Sequence, residues 1–110
     1  MNRFGHITVP VQPLQQRRTC RVPRGANFLA VAASNAESMV DLHYFYEVQM
    51  DYDEENNMFG PAQEQQLVDA HYYLLPSDSD VPPGDDMAVF GYTKVNQRVI
   101  FAILEDVEGE

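Results

Sequence analysis

Cysteine is almost missing from this chain: Cys20 is the only one among 110 residues. That excludes an internal disulfide and any multi-cysteine zinc site, and it suits a reducing compartment. No apolar run approaches eighteen residues, so no membrane-spanning helix is expected. The start, Met1-Asn2-Arg3-Phe4-Gly5-His6, lacks the apolar stretch and small-residue cleavage site of a secretory signal, which reads as a protein that is cytosolic or at least made in the cytosol. The chain has no G-x-S-x-G elbow, no P-loop and no G-x-G-x-x-G, so neither an enzyme nor a cofactor is expected.

Acidic residues are absent from the first 36 positions. That segment carries Arg3, Arg17, Arg18, Arg21 and Arg24, a local charge of +5, while residues 37–110 set all 17 carboxylates against Lys94 and Arg98, or −15, for a net −10. A negative field of that size repels nucleic acid and favours basic surfaces, and four clustered arginines beside it make a poor phosphate site. They read better as a counter-surface to the acidic half, within one chain or between copies. With 45% hydrophobic and 22% charged residues the composition is that of a folded globular protein, and the length fits one domain, residues 1–110.

Apolar residues recur with period two rather than 3.6, the mark of strands with one buried face. Leu42, Tyr44, Tyr46, Val48 and Met50 alternate with His43, Phe45, Glu47 and Gln49. The run Leu67 to Leu75 alternates less cleanly, with Val68, Ala70, Tyr72 and Leu74 opposite Asp69, His71, Tyr73 and Leu75, and reads as its hairpin partner. A short helix beginning at Pro61 is the alternative for residues 62–66. Ala88 to Lys94 and Val99 to Glu105 form a closing hairpin around Asn96, a residue that tolerates positive φ. Val99 to Leu104 is apolar on both faces, as in a central strand. Thr19 to Val22 and Phe28 to Ala33 are short strands separated by the turn Pro23-Arg24-Gly25. The expectation is an all-β fold, a small antiparallel sandwich or barrel of about six strands with local meander connections and at most one short helix.

Three segments read as non-regular. Residues 1–16 form an extended arm or edge strand, confined by Pro10 and Pro13 and packed by Phe4, Ile7, Val9 and Val11. Residues 51–66 form an acidic insertion, and residues 77–86 a loop rich in proline, glycine and aspartate. An acidic tail, residues 106–110, follows the last strand.

The string Cys20-Arg21-Val22-Pro23-Arg24-Gly25-Ala26-Asn27-Phe28, the loop after Tyr72-Tyr73, and the pairs Val89-Phe90-Gly91-Tyr92-Thr93 and Val99-Ile100-Phe101 together resemble a family of small bacteriophage-encoded domains of unknown function. Those domains carry a Val/Leu-Pro-x-Gly-Ala turn near the start and a C-terminal β-hairpin. The resemblance covers most of residues 18–105. The chain departs from it where Tyr92 separates Gly91 from Thr93 and where the acidic insertion is longer. It implies a phage accessory protein with a small β fold, working in the host cytoplasm, and it carries over no functional residue.

Chemical motifs are few. Asp51-x-Asp53-x-Glu55 opens like a calcium loop, but Asn56 and Ala62 stand where glycine and glutamate are required. His43, His71 and Asp69 would make a two-histidine, one-carboxylate metal site only if their strands paired in register. Cys20 has basic neighbours but no evident histidine base, and reads as a buried small apolar residue. No catalytic, cofactor or metal residue is therefore assigned.

The leading functional reading is an inhibitor or adaptor that binds a host protein with a basic surface, such as a defence or transcription enzyme. Its contact residues would be Asp51, Tyr52, Asp53, Glu54, Glu55 and Phe59 in the insertion, with Asp78, Asp80, Asp85 and Asp86 in the later loop, rings filling pockets while carboxylates steer. A virion structural or capsid-decorating protein is the alternative, since the N-terminal arm is suited to adding a strand to a neighbour and so to homo-oligomers. A small-ligand or nucleotide-binding module lined by Tyr44, Tyr46, Tyr72, Tyr73 and Tyr92 is the third. No direct nucleic-acid or membrane contact is expected.

Overall fold

The computed structural model describes residues 1–62, 65–80 and 87–105. It is all-β and antiparallel, with nine strands and no helix among the described residues: β1 (Asn2–Pro10), β2 (Arg18–Pro23), β3 (Asn27–Ala33), β4 (Met39–Glu47), β5 (Met50–Asp53), β6 (Met58–Pro61), β7 (Leu67–Pro76), β8 (Met87–Val95) and β9 (Arg98–Glu105). A three-stranded sheet in the order β1-β4-β3 faces a four-stranded sheet in the order β2-β7-β9-β8, and β5 with β6 makes a separate two-stranded ribbon. The architecture is a sandwich. Three strands exceed the expected six: one is the N-terminal arm, and two come from the insertion read as a loop.

The expected hairpin between β4 and β7 does not form. β4 pairs with β1 and β3, while β7 pairs with β2 and β9. Both strands alternate because each turns one face into the core and the other outward, and their buried faces meet across the core instead of lying side by side. Val40 and Leu42 on one sheet and Tyr72, Leu74, Ile100 and Ala102 on the other belong to one buried cluster with Val9, Val11, Cys20, Val22 and Val31. Complete burial of each valine or leucine there contributes roughly 1.5–3 kcal/mol.

Local turns follow their residues. Asn96 and Gln97, at φ 51° and 67°, close the tight β8–β9 hairpin, the mirror-image turn that matches strand twist. At Pro23-Arg24-Gly25 the Ala26 N–H donates to the Pro23 carbonyl at 3.1 Å and Gly25 takes φ 77°. This turn is a corner between the two sheets, not a hairpin within one, so the meander expected there is replaced by a crossing. β9 lies between β7 and β8 as its two apolar faces require: Ile100 and Ala102 enter the core, and Ile103 is buried on the other side. The arm is an edge strand, with Val9 and Val11 buried. Phe4 does not pack as expected. It lies 81% exposed on the outer face beside Phe45.

Candidate functional site: an acidic hairpin at one end of the sandwich

Residues 50–61 fold back on themselves as β5 and β6, with Tyr52 facing Phe59 and Asp53 facing Met58. The turn is built by Asp53. One carboxylate oxygen, Oδ1, accepts the Glu55 N–H at 3.0 Å, and Oδ2 accepts from Asn56 Nδ2 at 2.7 Å. The Asn56 bond, then the Glu55 N–H, stabilise the ionised form and lower the Asp53 pKa below its usual value. Asn57 closes the turn at φ 53°, a conformation asparagine adopts more readily than most residues. The Tyr52 hydroxyl donates to Asn57 Oδ1. The two rings then meet with centroids 5.0 Å apart at 59°, a tilted cross-strand pair.

Every residue from Asp51 to Phe59 is exposed. Phe59 and Met58 are 68% and 62% exposed, and Tyr52 and Met50 nearly half. Asp51, Tyr52, Asp53, Glu54, Glu55 and Phe59 are thus brought together on one ribbon. Met50, on the Tyr52–Phe59 face, and Met58, on the opposite face beside Asp53, join them, and sequence reasoning passed over both as contact residues although Met50 continues the alternation of Leu42 to Val48. Exposed rings and thioethers beside four carboxylates are the combination that supplies pocket-filling anchors and charge steering at once.

The later loop does not join this surface. Asp78 and Asp80 are exposed in the turn after Pro76, whereas the ribbon leaves the sandwich beside Leu67, at the opposite end of β7. Nine residue steps along that strand separate the two groups by about 30 Å. Asp85 and Asp86, like the acidic tail 106–110 and residues 63–64 of the insertion, lie outside the described residues.

A groove of about 640 Å³ opens at the root of the hairpin, lined by Asn2, Arg24, Asn27, Phe45, Glu47 and Gln49 among others. None of the tyrosines proposed for a ligand pocket lines this groove. Tyr44 and Tyr46 lie on the inner face of one sheet, Tyr72 on the inner face of the other, and Tyr92 packs on Phe101 at the outer face. Sheet topology likewise separates His43, which stacks on His6 at 5.6 Å, from His71, whose Nδ1 lies 2.9 Å from the Thr19 hydroxyl. Among the described residues no three metal-binding side chains cluster.

Three arginines of the basic segment are engaged within the chain by ion pairs or short hydrogen bonds. Arg17 pairs with Glu105 at 2.6 Å, Arg21 with Asp69 at 3.7 Å, and Arg18 donates to the Pro10 carbonyl at 2.7 Å while its guanidinium lies over the Tyr72 ring. Cys20 is buried, and desolvation pushes its thiol up to about 11, against a smaller downward pull from Arg18. Compared with models of known families, with curated proteins and with solved structures, the chain matches none.

Proposed function

We propose that the protein is an adaptor or inhibitor that docks the β5–β6 hairpin into a cationic surface of another protein. The observation that carries this reading is the hairpin itself: an ordered ribbon whose residues 51–59 are all exposed and which holds a Tyr52–Phe59 ring pair among four carboxylates. A solubilising acidic stretch needs neither fixed rings nor a capped turn. In a bound state the rings would be desolvated in a pocket while Asp51, Glu54 and Glu55 meet lysines and arginines, the carboxylates acting mainly on encounter and the rings on dissociation. The resemblance to phage-encoded domains directs the search for that partner to host defence or transcription enzymes, whose nucleic-acid channels supply such cationic grooves.

The test is affinity capture from the cytosol of the native cell, followed by binding kinetics with the captured protein. Asp53 is left intact because it holds the turn. Replacing Asp51, Glu54 and Glu55 by their amides should lower the association rate about tenfold or more at low salt. The double change Tyr52→Ala and Phe59→Ala should accelerate dissociation, by about 2 kcal/mol or more in affinity if the rings are the anchors. Capture that is equally efficient with both variants removes the hairpin as the contact.

A further inference from the structure

Each sheet of the sandwich ends in two edge strands, and three of the four edges are blunted. β3 and β8 each carry a register irregularity, at Leu29 and Phe90 respectively, and lie against one another where the sheets approach. β2 is six residues long, bears Arg18 and Arg21 and ends in Pro23. Bulges, short length, charge and proline are the devices that keep an edge from pairing with another chain. β1 has almost none of them. It runs nine residues in unbroken register with β4, with Arg3 its one arginine and its proline confined to the last position.

Hydrogen-bond phase fixes which of its groups are open. Val48 N–H donates to the Met1 carbonyl at 2.8 Å and Val11 N–H to the Ser38 carbonyl at 2.9 Å, so odd-numbered residues carry the bonds toward β4. Asn2, Phe4, His6 and Thr8 therefore direct their N–H and C=O groups outward, where among the described residues β1 has no second strand partner. Pro10 occupies the next outward position, which needs no N–H.

We propose that β1 pairs antiparallel with β1 of a second copy about a twofold axis at Gly5, joining two three-stranded sheets into one of six. Around that axis Phe4 faces the partner's His6 and Asn2 faces the partner's Thr8, so the edge is complementary to itself and about eight backbone hydrogen bonds form. The 81% exposed Phe4 ring gains an aromatic neighbour across the strand. Arg3 falls opposite the partner's Ile7, which keeps the two Arg3 side chains about 13 Å apart along the strand, beyond the physiological screening length. The antiparallel arrangement also sends the two acidic hairpins to opposite ends. Each hairpin root, with Glu47 beside Asn2, then comes alongside the partner's Pro10 end, the end to which Arg18 is bonded. This interface is independent of the hairpin reading and leaves the hairpins free.

Size-exclusion chromatography with light scattering over a concentration series tests it directly. The wild-type chain should approach twice its 12.5 kDa mass. His6→Pro removes an N–H that points outward, so it should give a monomer with unchanged circular dichroism, whereas Ile7→Pro removes a bond to β4 and should lower the thermal midpoint. Phe4→Lys, at a largely exposed position, provides a second monomerising variant should proline disturb the strand. Amide exchange gives an independent readout: Phe4, His6 and Thr8 should be slowed at high concentration and not in Phe4→Lys. A wild type that stays monomeric throughout, or a dimer that survives both substitutions, overturns the proposal.

Discussion

At the scale of single residues, the core is sensitive where backbone comes close to backbone. A Cβ added at Gly91 would lie 3.1 Å from the Val31 backbone nitrogen, a neighbour that cannot rotate away, so Gly91→Ala should cost roughly 1–3 kcal/mol in chemical denaturation. Gly5→Ala meets only the phenol end of Tyr44, at 2.9 Å, and should cost less because that ring can tilt. Cys20 makes a different prediction. Burial raises its thiol from an ordinary value of 9.0 to about 11, so the folded state holds a proton that the unfolded state releases. The resulting stability is fully present below 9.0 and is lost as pH rises toward 11. Burial shifts Tyr72 in the same direction, starting from 10.0. Thermal midpoints measured across this interval should fall in the wild type and fall less steeply in Cys20→Ala, and the native thiol should resist alkylation at neutral pH.

At the scale of elements, the β5–β6 ribbon is an appendage to the sandwich. Ala62 N–H donates to the Gln49 carbonyl at 2.8 Å, so the two ends of the ribbon already meet. Replacing residues 50–61 by a tight turn should therefore leave the strand spectrum intact and shift unfolding free energy by no more than about 1 kcal/mol, the size of a loop-closure change. A larger loss would mean that the ribbon braces the sheets. The composition of this segment explains why its sequence reads as a loop. Acidic and amide residues are poor strand formers in isolation. Here Glu54, Glu55, Asn56 and Asn57 form the turn itself, and the Tyr52–Phe59 pair together with the Asp53 bonds outweighs the poor strand propensity of Asp51, Asp53, Gly60 and Pro61.

At the scale of the whole molecule, a radius of gyration of 16.3 Å and extents of 57 × 33 × 17 Å describe an elongated body, where a compact domain of this length would have a radius near 13 Å. Among the described residues the hairpin acids and the Asp78–Asp80 pair stand at opposite ends of β7, and a charged partner should sense the hairpin end apart from the Asp78 and Asp80 end. The amide triple variant at Asp51, Glu54 and Glu55 should thus abolish most of the salt dependence of partner binding, while Asp78→Asn with Asp80→Asn should change it little. The sequence by itself determined the all-β class, the β8–β9 turn at Asn96, the two-faced apolar character of β9 and the sign of the net charge, because period, turn chemistry and charge are local properties. Which strands became neighbours was decided only in three dimensions. Alternation along Leu42 to Met50 and Leu67 to Leu75 states that each has one buried face, and that condition is met equally by pairing in one sheet or by facing across a core. The same holds for the loop acids proposed as contacts: sequence counts them, but the roughly 30 Å run of β7 separates the hairpin acids from Asp78 and Asp80.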